Sequence, residues 1–197
     1  ENAVSVESYY VNGTDVGFTW SMQSNIDNHA IATSDNEATK NLVVNGNKSF
    51  ITKCPGTGEF PSLVLNGSYD NFVNEKYYIF TFLFKTKEER LPDNFKYSIE
   101  GCTYYNSAYG FDDNLFNIML EVEDGRLSKV SASKGNYYNK MDMPECAIKE
   151  IASKTYSIAI KFQGITVGDG TDRSFLRTRF SGDACEFALD DLAVYSG

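Results

Sequence analysis

Between Tyr77 and Lys87 the chain sets Tyr78, Phe80, Phe82 and Phe84 at alternate positions, with Ile79, Thr81 and Leu83 between them. Successive side chains of a strand point to opposite faces, so this run reads as a single strand with one aromatic face and a second face that is apolar at its centre. A strand of this kind belongs in the middle of a sheet and is expected to be covered on both sides. The rest of the chain must therefore supply neighbours on each edge and a second layer above the aromatic face.

The same period recurs along the chain. Lys154 to Gln163 sets Tyr156, Ile158, Ile160 and Phe162 against Thr155, Ser157, Ala159, Lys161 and Gln163, and Ser174 to Ser181 sets Leu176, Thr178 and Phe180 against Phe175, Arg177 and Arg179. Further strands are expected at Ala3 to Tyr10, Gly17 to Met22, Ser62 to Asn66, Phe95 to Thr103, Leu115 to Val122 and Arg126 to Lys134. The last two are joined by Glu123-Asp124-Gly125, a turn signal. Asn45-Gly46 predicts a hairpin between Leu42-Val43-Val44 and Ser49-Phe50-Ile51-Thr52. Gln23 to Glu37 reads as a polar loop interrupted by His29 to Ala32, and Pro144 to Ser153 is the one stretch that reads as a helical turn. About a dozen strands without a long amphipathic helix imply a two-sheet antiparallel β-sandwich. A length of 197 residues fits one domain spanning 1–197, with no repeat or linker.

The charge balance narrows function. With 27 acidic against 18 basic residues the net charge is -9, which argues against a nucleic-acid partner, because phosphate neutralisation needs clustered Lys and Arg. No apolar run approaches the length of a membrane span, and the first residues carry no signal-peptide pattern, so a soluble chain without membrane insertion is expected. A single histidine, His29, leaves no material for a His-based triad or a multi-His metal site. No nucleophile elbow, P-loop or dinucleotide fingerprint is present. Glu121 and Glu123 share a strand face but run into a hairpin turn, where solvated acidic residues are common. Cys54, Cys102, Cys146 and Cys185 are widely spaced with no C-x-x-C pair, which leaves disulfides and free thiols equally open.

The final apolar run, Cys185 to Tyr195, contains two adjacent carboxylates, Asp190 and Asp191. Strict alternation gives Asp190 the same face as Ala188, Leu192 and Val194, and Asp191 the same face as Phe187, Leu189 and Tyr195. Neither has an obviously wet side. A buried carboxylate needs hydrogen bonds, a cation or a metal.

Val6-Glu7-Ser8-Tyr9, Asn12-Gly13-Thr14 and Trp20, together with Phe187 to Tyr195, resemble the opening and closing strands of concanavalin A-like jelly-roll sandwiches, the carbohydrate-binding modules of bacterial polysaccharide-degrading systems. Asn41 to Val44 and Tyr77 to Lys85 are similar to the middle of that pattern. The resemblance implies an all-β jelly-roll sandwich and a structural calcium joining the first and last strands, with Glu7 and Asp190 as ligands beside backbone carbonyls. Without a metal, Asp190 would accept backbone or hydroxyl hydrogen bonds and Asp191 would sit at an exposed edge.

The resemblance further implies a non-catalytic module that binds a polysaccharide, acting as a monomeric accessory domain of a glycoside hydrolase or lyase that is secreted or held at the cell surface. Glycan binding needs aromatic surface for sugar faces and polar groups for hydroxyls. The candidates are Tyr104, Tyr105 and Tyr109 beside Asn106, Tyr137 and Tyr138 beside Asn136 and Asn139, and Trp20. Arg177 and Arg179 could hydrogen-bond sugars or meet a uronate carboxylate. Two alternatives stand beside this reading. One is a polysaccharide lyase using Lys134 to Asn139, and the other is an adhesin or structural module.

Overall fold

The computed structural model describes residues 3–4, 10–11, 14–15, 19–22, 29–56, 62–66, 73, 75–104, 112–135, 138–164 and 173–196. Its strands are β1 (Ala3–Val4), β2 (Tyr10–Val11), β3 (Thr14–Asp15), β4 (Thr19–Met22), β5 (His29–Thr33), β6 (Lys48–Cys54), β7 (Ser62–Asn66) and β8 (Tyr77–Thr86). They continue with β9 (Lys96–Tyr104), β10 (Asp112–Glu123), β11 (Arg126–Lys134), β12 (Glu145–Ala152), β13 (Thr155–Gln163), β14 (Arg173–Ser181) and β15 (Cys185–Ser196). Two sheets result. One runs β1-β4-β7-β14-β9-β10-β11, and the other runs β12-β13-β8-β15 and continues from β15 to β6 and β5 at one end and to β2 and β3 at the other. All pairings are antiparallel except β15 with β2. The expected all-β two-sheet sandwich is the architecture observed; β2 lies beside the last strand β15, whereas the first strand β1 belongs to the other sheet.

β8 sits between β13 and β15, as its composition requires. Tyr78, Phe80, Phe82 and Phe84 are at most 2% exposed, and Phe82 and Phe84 meet Tyr97 of the facing sheet. Phe84 stacks on Phe187 at 4.8 Å between ring centres and meets Tyr97 edge-on at 5.5 Å, while Phe187 is T-shaped to Phe180 at 5.0 Å. Such geometry adds about 0.5–1.5 kcal/mol per pair beyond area burial. The other face of β8 is only partly covered, contrary to expectation: Thr81 and Leu83 are half-buried and Ile79 is 38% exposed.

β9, β10 and β14 contribute the opposite wall in register, with inward rungs Leu176–Gly101–Phe116, Thr178–Ile99–Ile118 and Phe180–Tyr97–Leu120. Gly101 is required there, because a Cβ would lie 2.3 Å from the Phe116 ring.

Three sequence expectations change. Leu42-Val43-Val44 does not form a hairpin with β6: Lys40–Leu42 is a 3-10 turn, and β6 pairs with β5, the segment read as loop. Leu42 is drawn instead into a small second cluster with Ala32, Ile51 and Ala188 on the far side of the eight-stranded sheet. Pro144 to Ser153 is largely the edge strand β12 rather than a helical turn, because half-buried Cys146 and Ile148 alternate with exposed neighbours and pack on the core.

The third change concerns Asp190 and Asp191. Asp190 pairs with Leu83 and Ala193 with Thr81, so β15 spends three steps where β8 spends two. That one-residue bulge has Asp191 in the left-handed region at φ 50°. It turns Asp191 out to water and puts Leu192, rather than a carboxylate, into the core with Leu189 and Val194.

Candidate functional site

Asp190 is 1% exposed, on the face of β15 that the small cluster covers. Its Oδ2 accepts from the Ser49 hydroxyl at 2.7 Å and from the Asn45 backbone N–H at 3.0 Å, and its Oδ1 accepts from the Asp191 N–H at 2.8 Å. Burial nevertheless raises its pKa above the ordinary carboxylate value, against the opposing pull of those hydrogen bonds. These three donors, one hydroxyl and two backbone N–H groups, satisfy the Asp190 carboxylate. Asp191 is exposed at the bulge and accepts from Asn45 Nδ2 at 2.8 Å. Glu7, the other expected ligand, lies outside the described residues. Among those described, no group of three or more His, Cys, Asp or Glu side chains could hold a metal.

The binding candidates separate in the structure. Tyr138 is fully buried, its ring 5.3 Å from that of Phe116, and its hydroxyl donates to the Gln163 carbonyl at 2.6 Å and accepts the Gln163 N–H at 2.8 Å. It therefore has no surface for a sugar; it ties the 138 turn to the end of β13, and burial holds its phenol proton well above the usual pKa. Tyr105, Tyr109 and Tyr137 lie outside the described residues. Trp20 lies in β4, opposite Leu65 of β7 and Val4 of β1, and Tyr104 ends β9, opposite Asp112 and Arg173.

Arg177 and Arg179 lead to a site. Both lie on the face of β14 opposite to Leu176, Thr178 and Phe180, and so outside the inter-sheet core. Rungs across this face run Arg177–Glu100–Asn117, Arg179–Ser98–Met119 and Ser181–Lys96–Glu121. These side chains converge because β9 alternates strictly: Tyr97 and Ile99 fill the core, which sends Lys96, Ser98 and Glu100 to the other side.

A cleft of about 420 Å³ opens over them, lined by Lys96, Ser98, Glu100, Asn117, Met119 and Arg179, together with Phe180 and Ser181 of β14. Its floor is dry although it faces away from the core, with Glu100 3%, Ser98 6% and Arg177 8% exposed. Arg177 Nε donates to Glu100 Oε2 at 2.7 Å, so the expected role of Arg177 as a sugar-facing cation is corrected: its charge is committed to a buried ion pair. The Ser98 hydroxyl lies 3.0 Å from Asn117 Oδ1 and 3.2 Å from Glu100 Oε1. At the rim Lys96 Nζ is 3.4 Å from Glu121, and Arg179 is half-buried.

The cleft thus presents an amide, hydroxyls and two cations above the buried Glu100–Arg177 pair. It can hydrogen-bond a polyhydroxylated ligand. Ser98, Glu100, Asn117 and Lys96 were not singled out from the sequence. From the alternation of Lys96, Ser98 and Glu100 with Tyr97 and Ile99 these read as ordinary outward polar positions.

No protein-family model and no curated protein matches the chain. Among solved structures it is similar to the CBM22-1 xylan-binding domain of Paenibacillus barcinonensis Xyn10C, at 9% identity and a TM-score of 0.45, over 90% of this chain and 85% of that one. It is also similar to TmCBM61, solved with β-1,4-galactotriose, at 10% identity and a TM-score of 0.40, over 90% and 88%. A third is the enzymatically active domain of bacteriophage CBA120 tailspike protein 4, at 12% identity and a TM-score of 0.44; it covers 92% of this chain but only 20% of that one. At these identities and scores none of them carries a ligand or a residue role over to this chain.

Proposed function

We propose that this domain is a non-catalytic carbohydrate-binding module whose polysaccharide lies in the cleft over β9, β10 and β14. The observation that carries the reading is the preorganised polar floor: Glu100 and Asn117 are positioned by Arg177 and Ser98 before any ligand arrives, so little side-chain ordering remains to oppose binding. Lys96 and Arg179 at the margins supply donors for hydroxyls or for a uronate carboxylate, and Met119 supplies an apolar patch for a sugar face. A secreted or cell-surface setting, as an accessory domain of a polysaccharide-degrading enzyme, is part of the same proposal and rests on the resemblance of the terminal strands. No helix among the described residues is long and apolar enough to cross a membrane.

The lyase alternative is not favoured. Tyr138, one of the two tyrosines that could act as its base, is buried with its hydroxyl engaged at Gln163. Lys134, the nearby cation, donates to the carbonyls of Met141 at 2.8 Å and Asn139 at 3.3 Å.

Affinity electrophoresis against plant, algal and host polysaccharides tests the proposal. Retardation on at least one, weakened at least tenfold in Asn117→Ala and Arg179→Ala variants of unchanged circular dichroism, is the expected result. No retardation on any polysaccharide would discard the binding reading, and retardation that both variants preserve would move the site elsewhere. An unsaturated product absorbing in the ultraviolet would restore the lyase.

A further inference from the structure

Cys54 is the last residue of β6 and Cys185 the first of β15, and the two stand directly opposite each other in the antiparallel ladder. Directly opposed residues of such a ladder have Cα atoms about 4.5–5.5 Å apart, within the span a disulfide needs. The surrounding backbone holds this end of the ladder closed. The Cys54 thiol donates to the Gly182 carbonyl at 3.2 Å, and Gly56, at φ 74°, sits so close to Ala184 that a Cβ would lie 2.9 Å from the Ala184 nitrogen. In the ladders, Cys102 of β9 stands opposite Asn114 and Phe175, and Cys146 of β12 stands opposite Ile160.

We propose that Cys54 and Cys185, both thiols in this structure, are the cross-linking pair of the domain and form a disulfide in an oxidising compartment. The oxidant is a small-molecule disulfide of the glutathione class. Cys54, having lost its proton, attacks one sulfur of the oxidant; that S–S bond breaks and one glutathione thiolate leaves. The Cys185 sulfur, on losing its proton, attacks Cys54 Sγ in the mixed disulfide, forms the Cys54–Cys185 bond and expels the second glutathione thiolate. Two protein thiols are oxidised, one glutathione disulfide is reduced to two thiols, and the two protein protons end on the two leaving groups.

The surroundings favour this order of events. Cys54 is held down to about 7 because Cys185 donates a hydrogen bond to its sulfur, with the Gly56 N–H assisting, whereas Cys185 is pushed far up by that same contact and by burial. The first thiolate at neutral pH is therefore that of Cys54.

The test uses the full chain refolded from urea in glutathione redox buffers, so that burial does not keep the oxidant out. The expected product has lost the mass of two hydrogens, yields one cross-linked peptide containing Cys54 and Cys185 on non-reducing digestion, and melts about 10 °C above the reduced protein, because the closed loop exceeds a hundred residues. Alkylation should label Cys102 and Cys146 only. A cross-link through either of those residues, or alkylation of Cys54 and Cys185 in the folded protein at every redox ratio, would overturn the proposal. The wild-type mapping decides it even if Cys54→Ser or Cys185→Ser fails to fold.

Discussion

Arg177 Nε lies 2.7 Å from Glu100 Oε2 with the two side chains 9% and 4% exposed, an ion pair outside the core yet almost without water. Breaking such a pair from one side strands a buried charge at a cost of about 3–5 kcal/mol. Arg177→Ala is therefore expected to lower the urea midpoint sharply, and the joint replacement Arg177→Met with Glu100→Leu is expected to recover most of the loss. A single variant as stable as wild type would show that the pair is solvated in solution.

The pKa of Asp190 is raised by burial, so the folded protein binds this proton more tightly than the unfolded chain. Its stabilising share is full below the ordinary value of 3.8 and is lost as pH rises through the folded pKa. Wild type should thus gain stability relative to Asp190→Asn when urea titrations move from pH 7 to pH 4. A difference that is constant with pH, or that moves the other way, would contradict the burial account.

Tyr138→Phe removes only the hydroxyl that bridges both backbone groups of Gln163, leaving two half-buried polar groups without that partner. A loss of about 1–3 kcal/mol is expected, with polysaccharide retardation unchanged. Reduced retardation at unchanged stability would return this residue to the binding surface.

The donor shell around Asp190 gives a fourth expectation. Removal of divalent ions with a chelator should leave the melting temperature where it was, because Ser49, Asn45 and Asp191 already satisfy the carboxylate. A fall of several degrees on chelation, reversed by calcium, would mean that a site involving Asp190 forms with residues beyond those described.

The extent to which the sequence revealed this molecule depends on the range over which each signal acts. β11 and β13 were legible because their alternation is local and turn chemistry bounds them, as at Asp124 and Gly125, with φ of 52° and 75°. The bulge at Asp191 was not, because an inserted residue is defined only against the partner strand. Leu42 to Val44 carried a hairpin signal that lost to burial of Leu42 in the second cluster. Tyr138 misled because a tyrosine between strands looks free until Phe116 and Gln163 are seen beside it. Of the cleft, the two arginines were picked out, but Glu100, Ser98 and Asn117 come together only through the register of β9 with β10 and β14.

β15 touches β8 along one edge, and β6 then β2 along the other. β15, which follows all its neighbours in the sequence, is thus a central strand of its sheet, and until it is in place β8 has one edge open while β6 and β2 have no common neighbour. Such unpaired edges invite pairing with other chains. Assembly of this half of the sandwich therefore waits for residues 185–196, which alone join β8 to β6 and β2.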